Sequence, residues 1–206
     1  MTGACDIDAA KNLNLTAHFC KLAHLDFAFV PFDRSDYTRG SVAALFAFLP
    51  HFCIVFLVGY ALASRSRPLA FIIAGFLVNE VANKVMKNIF KEARPPGAAL
   101  SNYGMPSSHS QFAAYVAVCF FVCMKKRVTQ RLMHPLFLSL VCVVAVMMWS
   151  RVYLSFHTLS QTVVGAGAGA AVAVLWSFIV HRFQPLQHCL VWCFEFVLSS
   201  VDSLIR

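Results

Sequence analysis

Charge is what this chain has least of. Only 13% of its 206 residues are charged, 59% are hydrophobic, and the mean hydropathy is +0.69. A soluble domain of this length needs far more polar surface, so the composition excludes that class and gives an integral membrane protein. Acidic groups are the scarcer sign, nine Asp and Glu against seventeen Lys and Arg, and no carboxylate cluster suited to magnesium is evident. The eight cysteines include no CxxC pair. Cys119 and Cys123 stand one helical turn apart, as do Cys189 and Cys193, and Cys53 and Cys142 also lie in apolar runs. They read as small apolar residues facing lipid or other helices, not as a disulfide framework or zinc site. Internal repeats and low-complexity linkers are missing too. Asp6 and Asp8 stand where a secretory leader would be basic, and no apolar core follows them. No cleavable signal is therefore expected, and the first span should serve as the insertion signal. The final residues, Leu204-Ile205-Arg206, form no retrieval motif.

Long apolar runs, by contrast, are plentiful. A helix needs about 20 mostly apolar residues to cross a bilayer, and the runs predict spans at 41–63, 69–90, 108–124, 135–153 and 158–180, the third of them short. Residues 189–201 are apolar but brief, with Glu195 inside. This predicts either a sixth, irregular helix against the bundle or one lying in the interface. The expected fold is thus all-α, a polytopic transmembrane bundle of five to six membrane-embedded helical elements. The chain divides into a tail over 1–40, a membrane domain over 41–182 and a C-terminal segment over 183–206. The tail's aromatic patch, 25–32, is expected to lie across the interface as an anchor. The run from Gly165 to Ala171, built of glycine and alanine alone, is a face on which helices approach closely.

The net charge of +8 is distributed by loop. Arg65, Arg67, Lys125, Lys126, Arg127, Arg131 and Arg182 all flank one side of the proposed spans. The positive-inside bias makes that side cytosolic, so the basic patch marks topology and lipid headgroups, and no nucleic-acid partner is expected. Asn14-Leu15-Thr16 is a glycosylation acceptor in the tail, which this topology puts in the lumen.

Three short stretches remain. They are Lys87-Asn88-Ile89-Phe90-Lys91-Glu92-Ala93-Arg94-Pro95, Pro106-Ser107-Ser108-His109, and Ser150-Arg151 with His157 six residues beyond. They fall at the end of the second span, the start of the third, the end of the fourth and the start of the fifth. All four lie on one membrane face, opposite the basic loops, and that face is therefore luminal. Such a cluster of cations and imidazoles is built to hold a phosphate and attack it.

With these residues the chain resembles the membrane-bound type 2 phosphatidic acid phosphatases. Their pattern is Lys-x6-Arg-Pro, Pro-Ser-x-His and Ser-Arg-x5-His-x3-Asp. It is complete here except that Gln161 stands at the final Asp position. The stretch from Gly104 to Phe112, Ser150 to Leu154 with His157 and Gln161, and Asn79-Glu80 resemble the dolichyl-diphosphate phosphatase branch in particular. The likeness covers roughly residues 41–182. It implies removal of the terminal phosphate from a polyisoprenyl diphosphate at the endoplasmic reticulum lumen, which recycles the lipid carrier of protein N-glycosylation.

The chemistry assigns a role to each residue. Arg94, released from the helix by Pro95, offers a planar fork to phosphate oxygens, while Lys87 adds a compact charge. Ser107 and Ser108 open the third span, where free backbone N–H groups and the helix dipole favour an anion; Ser107 is expected to cap that helix. Arg151, at the end of a buried span, calls for an anionic partner. His157 is the candidate nucleophile, giving a phosphohistidine that water hydrolyses, and His109 the general acid. Lys87, Arg94 and Arg151 would neutralise the equatorial oxygens, so no metal or other cofactor is expected.

By the resemblance, residue 161 holds the second nitrogen of His157. A glutamine keeps that hydrogen bond and lacks the charge, which slows attack on difficult substrates. A diphosphate, whose leaving group is already a stable anion, tolerates this best.

Glu80 shares a helical face with Asn83, Lys84 and Lys87, so it either pairs with Lys84 or positions Lys87. Two other functions compete with the diphosphatase. One is a phosphatase of lipid phosphate monoesters such as phosphatidic acid or sphingoid-base phosphates. The other is a catalytically inactive lipid-binding scaffold.

Overall fold

A computed structural model describes residues 22–24, 31–33, 36–96, 98, 102–125 and 128–205. The glycosylation acceptor at Asn14, most of the aromatic patch, and Lys126 and Arg127 lie outside the described residues. Two three-residue strands, β1 (Leu22–His24) and β2 (Pro31–Asp33), pair antiparallel with Leu22 opposite Asp33. The sequence reading did not include them.

Six helices follow: α1 (Tyr37–Ser64), α2 (Arg67–Phe90), α3 (Ser108–Met124), α4 (Gln130–Tyr153), α5 (Leu159–Arg182) and α6 (Gln184–Ile205). Four of them, α1, α2, α4 and α5, are long and apolar enough to cross a membrane, and α3 is a shorter apolar helix. The all-helical membrane architecture expected from the apolar runs is therefore present. Elements differ from the runs mainly at their ends, because helical turns continue into polar residues that hydropathy excludes. Tyr37 to Gly40 extend α1 in this way, as Gln130 to His134 extend α4.

Local chemistry sets the boundaries nearest the site. Helix α2 begins with Pro68 in its first turn and stops at Lys91, whose φ of 49° is left-handed. Thr158 and Gln161 form a reciprocal capping box that starts α5.

Helices α3 and α5 lie against one another because the residues between them are small. A Cβ placed on Gly165 would come 2.5 Å from the carbonyl oxygen of Ser107, and one on Gly169 would collide with that of Gln111. The other face of the same stretch, Ala166 and Ala170, lines an apolar groove of about 320 Å³ between α3, α4 and α5.

Buried polar groups tie the remaining helices together. Asn83 Nδ2 donates to Gln111 Oε1 at 2.7 Å, and Gln111 Nε2 donates to the side-chain and backbone oxygens of Asn79, each at 3.0 Å. All three side chains are buried, so α2 and the start of α3 are bound where water cannot compete. Ser150 donates to the Ala43 carbonyl at 2.7 Å, joining α4 to α1. Beside it Ala43, Ala44 and Ala47 pack on Leu154 and Phe156, just after α4.

The C-terminal run, short by hydropathy, is a helix of 22 residues. Glu195 and Asp202, seven apart and so on one face, pair with Arg67 at 3.5 Å and Arg65 at 2.7 Å. Those acids interrupt the apolar pattern because they reach the turn between α1 and α2.

Candidate active site

Four segments meet at one end of the bundle. They are the last turn of α2 with the irregular Lys91–Pro95, the start of α3, the last turn of α4, and the loop into α5. His157 lies at the centre and is 2% exposed. Its backbone N–H donates to the Arg151 carbonyl at 3.3 Å, and that of Phe156 to the same oxygen at 3.1 Å. Ser155, at φ 56°, turns the chain back to make this possible. The Ser150-Arg151 end of α4 and His157 are thus one folded unit, which explains their close spacing in sequence.

Both ring nitrogens of His157 are engaged. Nδ1 lies 3.1 Å from Gln161 Oε1, and Nε2 lies 3.0 Å from an Arg94 guanidinium nitrogen. A guanidinium only donates, so Nε2 accepts and Nδ1 carries the proton. That tautomer presents the Nε2 lone pair for attack. Burial and then the Arg94 guanidinium hold the imidazole far below the ordinary histidine range, at about 3, so the ring is neutral at physiological pH.

Gln161, fully buried, is fixed from both ends. Its oxygen also accepts from the Thr158 backbone N–H at 3.3 Å, while Nε2 donates to Glu92 Oε1 at 2.9 Å and to the Ala93 carbonyl at 2.8 Å. Turning the amide over would oppose donor to donor and acceptor to acceptor. Gly104 makes room for this arrangement, since a Cβ there would lie 2.5 Å from Gln161 Oε1. Its N–H donates to the Glu92 carbonyl at 2.7 Å.

Arg94 is held by four acceptors. Nε donates to Asn102 Oδ1 at 2.9 Å and to the Asn102 carbonyl at 3.2 Å, and the terminal nitrogen facing His157 also donates to the Phe156 carbonyl at 2.9 Å. Burial lowers the guanidinium's pKa from its ordinary value. A cleft of about 280 Å³, lined by Lys91, Arg94, Asn102 and Tyr103 among others, opens beside it. Arg151 is 5% exposed, with its guanidinium carbon 4.5 Å from the centre of the Phe156 ring and its Nε without a hydrogen-bond partner. A buried, incompletely paired cation next to a buried imidazole is a place for an anion.

His109 approaches from α3. Its Nε2 is 3.2 Å from the Ala47 carbonyl and must be the donor, because a carbonyl only accepts. Nδ1 is then the nitrogen that can exchange a proton. Ser107 is fully buried at the head of α3 but makes no side-chain cap, contrary to expectation. Its hydroxyl instead accepts from Ser110 at 3.3 Å, which supplies the polar contact a cap would have given. Ser108 begins α3 and is partly exposed. Lys87, in the last turn of α2, is half-buried and interacts electrostatically with Arg94 and Glu80. Glu80 is half-buried one to two turns below, between the charges of Lys84 and Lys87, in direct ion-pair contact with neither.

The structure therefore brings Lys87, Arg94, Ser107, Ser108, His109, Arg151, His157 and Gln161 to one end of the bundle. Sequence reasoning missed Glu92, Asn102 and Gly104. A signal for Glu92 existed: it is one of nine acids in the chain and stands inside a cationic motif. Among the described residues, no three of His, Cys, Asp and Glu converge as a metal-binding group.

Comparison with known proteins gives a consistent set of relatives. A family model described as the PAP2 superfamily matches residues 66–185. The chain is 35% identical over 182 residues to dolichyldiphosphatase 1 of Homo sapiens, covering 81% of this chain and 76% of that protein. It is 32% identical over 175 residues to dolichyldiphosphatase of Saccharomyces cerevisiae, covering 78% and 72%. Its fold is similar to the crystal structure of a transmembrane PAP2-type phosphatidylglycerolphosphate phosphatase from Bacillus subtilis, with a TM-score of 0.61 and 20% identity, covering 70% of this chain and 78% of that one.

Proposed function

The chain belongs to the PAP2 superfamily, and from that premise we propose that it hydrolyses dolichyl diphosphate to dolichyl phosphate and inorganic phosphate. One observation carries the reading: a buried, neutral His157, its Nδ1–H held by Gln161 and its Nε2 facing Arg94, beside the buried Arg151 whose Nε lacks a partner. The likeness to two dolichyldiphosphatases over most of the chain supports the choice of substrate.

In the first step the Nε2 lone pair of His157 attacks the terminal phosphorus. An N–P bond forms, the bridging P–O bond breaks, and its electron pair leaves on dolichyl phosphate. Lys87, Arg94 and Arg151 neutralise the three equatorial oxygens as charge spreads over them, and Ser107 and Ser108 place the anion at the head of α3. The leaving group is a phosphate anion, so it asks little of His109.

In the second step His109 Nδ1 takes a proton from water and then releases it to solvent, while the water oxygen displaces His157 from phosphorus. The N–P electron pair returns to Nε2 and inorganic phosphate departs. Gln161 keeps the Nδ1 proton in place throughout. Glu80 supports Lys87 electrostatically, and these side chains supply the charge neutralisation without a metal or other cofactor.

The site is proposed to face the lumen of the endoplasmic reticulum, a reading supported by the basic residues that flank the opposite ends of the helices. In this reading residues 41–182 are the phosphatase domain, and α6 (Gln184–Ile205) is a further helical segment tied to it through Arg65 and Arg67. Turnover there would return the lipid carrier to protein N-glycosylation.

The test is phosphate release by purified, detergent-solubilised protein in excess chelator, with His157→Ala beside it. Dolichyl diphosphate should turn over fastest, ahead of dolichyl monophosphate and phosphatidic acid, and the variant should release nothing. Faster turnover of phosphatidic acid would make the protein a general lipid phosphatase. Silence from folded protein on all three would favour the scaffold.

A further inference from the structure

Gln161 stands where the family pattern has an aspartate, and the missing charge lies one hydrogen bond away. We propose that Glu92 is a positioning residue which, acting through the Gln161 amide, supplies the nucleophilic histidine with the negative charge an aspartate at 161 would bring. The inference deepens the functional reading above and rests on it.

The chain of contacts is continuous. Glu92 Oε1 accepts from Gln161 Nε2 at 2.9 Å, and Gln161 Oε1 accepts from His157 Nδ1 at 3.1 Å. An amide with a carboxylate on its N–H side is polarised: electron density moves toward its oxygen, which becomes a stronger acceptor. When Nε2 gains phosphorus, the ring becomes a cation. The Glu92 charge then acts on it through a buried amide rather than through water. Glu92 also belongs to the Lys87–Pro95 segment that carries Arg94, so the same few residues set both sides of the nucleophile. Its backbone oxygen is fixed by the N–H of Gly104, and its side chain is partly buried. The aspartate of the family pattern has thus been split in two here, the hydrogen-bond acceptor at 161 and the charge at 92.

The arrangement makes a specific demand on substitutions. Glu92→Gln keeps size and hydrogen bonding but removes the charge; it should lower kcat about 10-fold to 100-fold with little change in KM. Gln161→Asp alone places two carboxylates against each other and should lose as much or more. Glu92→Gln with Gln161→Asp moves the charge next to His157 and restores an amide–carboxylate pair, and should recover most of the activity lost by either single variant.

A second readout needs no turnover. In protein with 15N-labelled histidine, the Nδ1–H proton resonance of His157, assigned with His157→Ala, reports the strength of the bond to residue 161. Glu92→Gln should move it upfield, and the double variant should move it back or beyond. If Glu92→Gln leaves both kcat and this resonance at wild-type values, the inference fails while the phosphatase reading stands. If wild-type protein releases no phosphate, the reading fails and the resonance alone decides the coupling: a shift supports it, and an unmoved signal overturns it. A double variant no better than the worse single one would also overturn the transposed charge.

Discussion

Arg94 places a guanidinium nitrogen 3.0 Å from His157 Nε2, the nitrogen that would attack phosphorus. In the proposed reaction the lone pair that attacks is occupied by a cation that binds the substrate. A phosphate arriving there would draw Arg94 away, because its charged oxygens are better acceptors than a neutral imidazole. Binding and unmasking of the nucleophile would then be one event.

The same contact fixes a pH dependence. The charged groups bearing on His157 are Arg94, Arg151 and Lys87, with Glu92 behind Gln161. Burial first, then the Arg94, Arg151 and Lys87 charges, lower its proton affinity from an ordinary 6.5 to about 3. Below 6.5 the unfolded chain takes up a proton that the folded one refuses until about 3. The stability contributed by neutral His157 is therefore full above 6.5 and is lost as pH falls towards 3. Turnover, corrected for ionisation of the substrate, should show no acid limb from this group between pH 7 and 5. An enzyme half-inactivated near 6.5 by a single protonation would contradict the geometry.

Lysine cannot replace Arg94. Its single ammonium cannot satisfy Asn102, the Phe156 carbonyl and His157 together, as the guanidinium does. Arg94→Lys should lower kcat/KM about 100-fold while the thermal midpoint in detergent stays near wild type. The comparison of kinetics with melting checks it.

Gly104 matters for space alone. The methyl of Gly104→Ala would press on the Gln161 amide, which is held by its partners and cannot swing away freely. Shifting that amide tilts His157, and misplacement of a reacting group by an ångström costs up to about 100-fold. The expected result is lost kcat with a near-normal KM for a diphosphate substrate.

How much of this was legible beforehand depended on distance along the chain. The cluster of His157 with Arg151 could be read because a tight turn folds His157 back on the end of α4, and the apolar runs gave α1 to α5 directly. Glu92 stood out as an acid inside a cationic motif, but its role could not be read there, because its partner Gln161 is 69 residues away. Ser107 looked like a cap because serine before a helix usually is one; burial against Gly165 gave it a different partner. The length of α6 was hidden by Glu195 and Asp202, which read as interruptions until their arginines were found across the turn.

The polar layer between α2 and α3 should appear in stability rather than in rate. Gln111→Leu strips Asn79 Oδ1 of its 3.0 Å partner inside the bundle and leaves Asn83 Nδ2 only the Pro106 carbonyl at 3.4 Å. Leaving such groups unsatisfied costs about 1–3 kcal/mol. A lowered unfolding midpoint, with residual activity per folded molecule largely kept, is the expected outcome.

Helix α3 has 17 residues, a rise of about 25 Å, against a hydrocarbon core of about 30 Å. Its neighbour α5 has 24 and needs no such accommodation. In one bilayer the two cannot both reach each surface, so the leaflet thins beside α3 or one of its ends lies about a turn inside the hydrocarbon edge. Under the proposed reaction, a lipid headgroup would then have less far to travel to Ser107 and His109 than to the end of a full-length span.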